Sequence, residues 1–114
     1  MENVTCDVVQ TGRDGWGEIE RVEIQHDGQR AGRMRVSRYD GDVYIDRIDI
    51  DEDKRGQGIG SAVLRQYRGA YIVADSERSA RLCARLGELV EDPMMAYMDQ
   101  GHGVYILTAW NNED

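Results

Sequence analysis

The sequence predicts an α/β fold in which a mixed, mostly antiparallel sheet of about six to seven strands packs against two main helices. Three observations indicate this fold. Two Asp-Gly pairs separate runs of alternating apolar and polar residues, a glycine-rich turn opens a helix-like segment, and a short apolar strand precedes a second such segment. The predicted order is four strands, a helix, a strand, a helix and two strands.

Length and charge narrow the classes of protein that fit. The 114 residues suit one domain, residues 1–114. Residues 1–5 lack the basic and apolar regions of a signal peptide, and no apolar stretch approaches the ~20 residues of a membrane span. A cytoplasmic protein without membrane association is expected. Its formal net charge of -8 argues against non-specific nucleic-acid binding and favours a cationic partner.

The basic residues are almost all arginines, since Lys54 is the only lysine beside thirteen arginines. An acidic, lysine-poor surface is one way to stay soluble at high salt, which indicates a halophilic source, and a GC-rich genome gives the same arginine bias. Loss of native circular dichroism on transfer from molar salt to dilute buffer would distinguish the first from the second.

The first half of the chain reads as an antiparallel meander. Strands are predicted over residues 4–10, 18–26 and 29–38, with a polar turn over residues 11–17 and a further strand that starts near Asp42. Asp27-Gly28 and Asp40-Gly41 predict type I′ turns, which need positive φ at both central residues.

The fourth strand contains an irregularity in its apolar pattern. Val43 and Ile45 have one parity, whereas Ile48 and Ile50 have the other, so the pattern slips by one residue near Asp46-Arg47. An inserted bulge residue produces such a slip. A strand covered on both faces, which needs no strict alternation, is the alternative.

The second half alternates helices with short strands. The predicted elements are a helix over residues 59–68, a strand over residues 70–74, a helix from a cap at Asp75 or Ser76 to about Leu86, and a hairpin of strands over residues 94–98 and 104–110. Gly69 and Gly87 end the two helices.

The hexapeptide Arg55-Gly56-Gln57-Gly58-Ile59-Gly60 is the most informative motif in the chain. Glycines let backbone N–H groups approach a phosphate, and the start of a helix carries partial positive charge. A P-loop is excluded because Ser61 and Ala62 follow the last glycine where that motif needs lysine. The dinucleotide fingerprint fits poorly, because the charged residues 51–55 separate the motif from the preceding strand.

A third pattern, [Q/R]-x-x-G-x-[G/A] after a strand and an acidic turn, is matched by Arg55, Gly58 and Gly60. It resembles the acyl-CoA pyrophosphate loop of the GNAT acetyltransferases. Residues 48–64 look like that family's fourth strand, loop and third helix. Residues 76–88 resemble its closing helix in degenerate form, with Cys83 at the usual tyrosine. The resemblance covers about half of the chain, residues 44–87.

The resemblance implies a GNAT-like fold and an acetyl-CoA-dependent N-acetyltransferase that transfers an acetyl group to a primary amine of a small molecule or peptide. In that family a strand bulge opens a gap in which the pantetheine arm lies, and a backbone N–H polarises the thioester carbonyl. The implied cofactor-binding residues are Ile48, Asp49, Ile50, Arg55, Gly56, Gln57, Gly58, Ile59, Gly60 and Ser61.

Two residues are candidates for proton transfer. Asp46 is the candidate general base, with Asp49 as the next choice, although most acids in residues 39–53 are expected to be a solvated edge. The resemblance implies Cys83 as the candidate general acid, because it aligns with the family's tyrosine and an unperturbed thiol has a pKa of ~8.5. The alternatives are that Cys83 is a buried apolar residue and that Tyr97 or Tyr105 donates the proton.

One departure from the family pattern bears on function. The two helices that GNAT proteins place between the first and second strands have no room here, which implies either an open acceptor surface or a wall supplied by the second subunit of a homodimer. A catalytically degenerate acyl-CoA-binding or interaction module is the alternative function. The cysteines and histidines have no metal-ligand spacing, so no metal site is predicted.

Overall fold

The computed structural model describes residues 3–15, 17–90 and 101–108. The elements follow the predicted order. They are β1 (Val4–Asp14), β2 (Gly17–His26), β3 (Gln29–Tyr39), β4 (Asp42–Ile50), a 3₁₀ turn (Glu52–Lys54), α1 (Ile59–Arg65), β5 (Tyr71–Val73), α2 (Glu77–Leu86), β6 (Gly87–Val90) and β7 (Val104–Leu107).

The seven strands form one open sheet in the order β1-β2-β3-β4-β5-β7-β6. The pairing of β4 with β5 is parallel, and every other pairing is antiparallel. The mixed, mostly antiparallel sheet with two helices is therefore confirmed.

The two Asp-Gly turns are confirmed by their backbone angles. Asp27 and Gly28 have φ of 53° and 78°, and Asp40 and Gly41 have φ of 52° and 83°. Positive φ at both central residues is the requirement of a type I′ turn, whose twist matches that of the strands that it joins. These turns fix the register of β2, β3 and β4.

The first hairpin is longer than the sequence predicts. β1 and β2 pair as far as Asp14 and Gly17, and an ion pair of 3.4 Å joins Arg13 to Glu18 near the turn. Residues 9–14 of β1 are exposed. A hairpin end exposed on both faces needs no apolar alternation, so the polar residues 11–17 resemble a turn.

The closing hairpin also differs. β6 follows α2 directly and pairs with β7, whereas the predicted strand over residues 94–98 lies outside the described residues. Gly87 ends α2 as predicted and begins β6, where a Cβ would overlap the carbonyl oxygen of Ile106. Leu89 is 67% exposed, so β6 has no buried apolar face that the sequence pattern could reveal.

The bulge in β4 is confirmed at Asp46. Arg47 pairs with Arg35, and Ile45 pairs with Val36, so Asp46 is the inserted residue. Because the insertion reverses the alternation, Ile45 and the later residues Ile48 and Ile50 all contact the core, although their parities differ.

Both helices pack on one side of the sheet, which we call the helix face. Ile59 and Val63 of α1 and Cys83 and Leu86 of α2 join the main hydrophobic core. That core also contains alternate strand residues: Val22, Ile24, Met34, Val36, Ile45, Ile72, Tyr105 and Leu107. The residues between them point to the opposite side, the open face, which no described helix covers over β1 to β4.

The helix boundaries follow from local hydrogen bonds. Ser76 caps α2, since its hydroxyl accepts from the N–H of Ser79 at 3.1 Å and the Ser79 hydroxyl accepts from the N–H of Ser76 at 3.1 Å. α1 is three residues shorter than predicted and ends at Arg65. No helix of the described residues has the length and hydrophobicity needed to span a membrane.

We expect Gly32→Ala to destabilise the fold, because a Cβ at Gly32 would overlap the carbonyl oxygen of Asp49 across the β3–β4 pairing. Overpacking against backbone costs about 2 kcal/mol or more of the free energy of unfolding. Urea denaturation measures it. Gly12→Ala is the matched control, since nothing lies within 4 Å of a Cβ there. Equal stability of the two variants would contradict the close approach of β3 to β4.

Candidate functional site

The glycine-rich loop has the backbone conformation that an anion-binding turn needs. Gly56 and Gly58 have φ of 81° and 79°, in the left-handed region, and Gly58 is the residue that precedes α1. The loop from Arg55 to Gly58 is exposed. Alternation of left-handed with other conformations turns successive N–H groups toward a common point.

The loop leaves its backbone donors unsatisfied. The first helical hydrogen bond runs from the N–H of Ala62 to the carbonyl of Gly58 at 3.0 Å. Within the described part of the chain, the N–H groups of residues 56–61 have no acceptor. Exposed N–H groups at the start of a helix can donate hydrogen bonds to a phosphate oxygen.

The charged side chains around the loop contact the protein itself. The Nε of Arg55 donates to the carbonyl of Ile50 at 3.0 Å, and the Nζ of Lys54 donates to Gln29 at 3.2 Å. The Ser61 hydroxyl accepts from Arg65 at 3.5 Å. Arg55 therefore ties the loop to the end of β4.

The pairing of β4 with β5 covers only part of β4, and we call the unpaired stretch of the β4 edge on that side the gap. Their parallel pairing consists of Tyr44 with Tyr71 and Ile45 with Ile72, although β4 continues to Ile50. Beyond Ile45, no described strand pairs with β4 on this side. The gap therefore runs from the bulge to Ile50, about 13 Å along the strand, and the glycine-rich loop follows in the chain after the 3₁₀ turn.

Backbone groups of β4 point into this gap. The N–H of Asp51 donates to the carbonyl of Ala31 in β3, at 2.8 Å. Because successive residues direct their backbone groups to opposite edges of a strand, Ile48 and Ile50 direct theirs toward β5. The Ile50 carbonyl accepts from Arg55, and the remaining groups of these two residues face the gap.

Asp46, the bulge residue, lies on the open face. Its carboxylate accepts a hydrogen bond from the hydroxyl of Ser37 and lies 3.5 Å from the Nε of Arg35. Its side chain is 18% exposed. Burial raises the pKa of Asp46 above the ordinary 3.8, and nearby Asp14 raises it further, while Ser37 and Arg35 act in the opposite direction.

The other proton-transfer candidates lie elsewhere. Cys83 is 1% exposed in the core, where burial raises the pKa of its thiol to about 11 and Asp75 adds to the increase. Tyr105 is also buried on the helix face, and Tyr97 lies outside the described residues. Asp49 lies on the open face, paired with Arg47 at 3.0 Å.

The structure thus brings together most of the residues that the sequence singles out. Ile48, Ile50 and the loop from Arg55 to Ser61 border the gap at one end of β4. Asp46 lies at the other end of the gap, where the pairing with β5 stops. Cys83 does not join them, and its burial fits the alternative of an apolar core residue.

A cavity of about 700 Å³, which the sequence pattern does not predict, lies on the open face of β1 to β4. Its lining includes six arginines: Arg13, Arg21, Arg30, Arg33, Arg35 and Arg47. We call this cavity the arginine groove. In the sequence, Arg21, Arg33 and Arg35 alternate with core residues. This pattern is the same as that of an ordinary solvated strand face, so it does not indicate a groove.

Among the described residues, no cluster of histidine, cysteine and acidic side chains could hold a metal ion.

Comparison of the chain with protein-family models, curated proteins and solved structures gives no significant match. The GNAT resemblance therefore depends on the loop motif, the element order and the gap beside the bulge.

We expect the free energy of unfolding of the Asp46→Asn protein to increase with pH, relative to that of the unsubstituted protein. A carboxyl whose pKa is raised on folding binds protons more tightly in the folded state, so its contribution is present below the unfolded pKa and is lost above the folded pKa. Asparagine has no such loss. Urea denaturation of both proteins at about pH 3 and about pH 7 measures the change. If the difference in free energy of unfolding is the same at both pH values, or if the variant is relatively less stable at neutral pH, the raised pKa of Asp46 is contradicted.

Proposed function

We propose that the protein is an acetyl-CoA-dependent N-acetyltransferase of the GNAT type that acts on a primary amine. The observation that carries the proposal is the gap between β4 and β5, which begins at a bulge with a carboxylate and ends at a glycine-rich loop with unsatisfied N–H groups. In the family that the sequence resembles, the strand bulge, the gap and the glycine-rich loop all take part in binding one cofactor.

The loop would bind the pyrophosphate of CoA. The N–H groups of residues 56–61 supply donors, and Gly56 and Gly58 remove the side chains that would keep phosphate oxygens away. The pantetheine arm would lie along β4 in the gap, where the backbone of Ile48 and Ile50 offers the hydrogen bonds of an extra strand.

The acetyl transfer would take place near Asp46. The amine attacks the thioester carbonyl, the C–S bond breaks, and CoA leaves as a thiolate that takes a proton from water. Asp46 removes the proton that the attacking amine loses. Its raised pKa suits this role, because a stronger base accepts a proton more readily near neutral pH.

A binding module without catalysis is the second candidate. The burial of Cys83 favours it, because the family's general acid position then has no accessible proton donor. The open face, in contrast, favours the enzyme, since no described helix separates Asp46 from an acceptor in solvent. For the same reason the proposal does not require a homodimer.

We expect Gly58→Asn to weaken CoA binding by at least about tenfold. Asparagine tolerates left-handed backbone, so the loop keeps its conformation while a new side chain occupies the phosphate position. Isothermal titration with CoA measures the affinity. Gly69→Asn is the matched control, because Gly69 has φ of 89° and open space around it at the far end of α1.

Unchanged affinity of the Gly58→Asn protein, or an equal loss in the Gly69→Asn protein, would remove the loop from the CoA site. Stabilisation by NAD as strong as that by CoA in a thermal melt would instead favour a dinucleotide-binding domain.

We expect acetyl-CoA and a panel of primary amines to release free CoA thiol in an acceptor-dependent reaction. Asp46→Asn should lower kcat by about a hundredfold, which is typical of a lost general base, while CoA affinity is retained. Thiol release is followed by absorbance, and CoA affinity by calorimetry. CoA binding without any acceptor-dependent release would reject the enzyme and favour the binding module.

A further inference from the structure

A row of like charges crosses the open face at the level of the bulge. Arg21 of β2 is the register partner of Arg35 of β3, and Arg35 is the register partner of Arg47 of β4. Neighbouring strands lie about 4.8 Å apart, so the row spans about 10 Å. Like charges directly opposite one another destabilise a sheet unless an anion lies between them.

Carboxylates of the protein compensate part of this charge. Arg35 lies 3.6 Å from Asp14 and 3.5 Å from Asp46, and Arg47 lies 3.0 Å from Asp49. Arg35 and Arg47 are therefore paired within the protein.

Two arginines of the groove are not compensated. Within the described residues, Arg21 and Arg33 have no carboxylate at ion-pair distance, although both line the cavity. Glu23 stands opposite Arg33 in register, but its carboxylate accepts from Gln25 at 3.0 Å. Arg21 and Arg33 occupy diagonal positions on adjacent strands, and at that spacing two long side chains can reach one ligand.

From this arrangement we infer that the arginine groove binds a small molecule carrying a carboxylate or phosphate group, and that this molecule is the amine acceptor. Guanidinium groups bind both oxyanions through paired hydrogen bonds. The cavity of about 700 Å³ has the size of a small-molecule site. The formal net charge of -8 opposes a long polyanion such as nucleic acid.

The assignment of the ligand as acceptor rests on the proposed function. Arg35 lines the groove and contacts Asp46, so a molecule whose oxyanion is bound by Arg21 and Arg33 can extend past Arg35 toward the proposed base. The local arginines therefore select an anionic amine, whereas the overall charge of the protein by itself favours a cationic one.

Binding is tested first without acetyl-CoA. The Nε–Hε signals of the arginines are followed by NMR during titration with inorganic phosphate and, separately, with glutarate. We expect saturable shifts at Arg21 and Arg33. Arg21→Gln and Arg33→Gln should each weaken binding about tenfold, the loss typical of a charge-assisted hydrogen bond. Arg85→Gln, which removes the same charge from an exposed position of α2, should leave the affinity unchanged.

Turnover is tested with paired amines that differ by one oxyanion group. Phosphoethanolamine is compared with ethanolamine, and β-alanine with propylamine. We expect kcat/KM to be at least about tenfold higher for the anionic member of one pair, and KM for it to rise about tenfold in Arg21→Gln and Arg33→Gln. The pair that shows the preference identifies phosphate or carboxylate as the recognised group.

The outcomes separate this inference from the proposed function. Shifts that do not saturate, or an equal loss in Arg85→Gln, overturn the groove as an anion site. Saturable binding without turnover of any amine keeps the anion site and overturns its role in acetyl transfer. Equal turnover of both members of each pair, or preference for spermidine, overturns the anionic acceptor while leaving the acetyltransferase intact.

Discussion

The inserted residue Asp46 is the constraint on which the site depends. A strand without the bulge would direct Arg47 and Asp49 toward the same side as Ile45, into the hydrophobic core. Reversal of the alternation lets Ile48 and Ile50 pack against the core while Arg47 and Asp49 reach solvent. The bulge also lies where the pairing of β4 with β5 stops, so the same residue marks the start of the gap.

The sheet consequently separates two kinds of chemistry. Backbone groups at the strand edge and in the loop face the gap, where they can bind a cofactor without help from any one side chain. Side chains on the open face supply a carboxylate of raised pKa and an arginine groove beside it. The helix face contributes a hydrophobic core that holds both arrangements in place.

The features that a few adjacent residues determine could be predicted from the sequence. The Asp-Gly turns, the slip near Asp46 and the cap at Ser76 are each specified by a few adjacent residues, and each is confirmed. β6 was missed because its residues are mostly exposed and have no apolar alternation. The arginine groove was missed because Arg21, Arg35 and Arg47 become neighbours through strand register, which joins residues far apart in the chain.

The short pairing of β4 with β5 also divides the sheet into two parts, which differ in how their strands are connected. β1 to β4 form a meander of consecutive hairpins, whose pairings close small loops and cost little chain entropy. β5 to β7 join that meander in the sheet through two parallel residue pairs, across a crossover that contains α1. Local pairings form early in folding and non-local ones form late. The gap would accordingly be assembled last, at the seam between an early-folding unit and a later one.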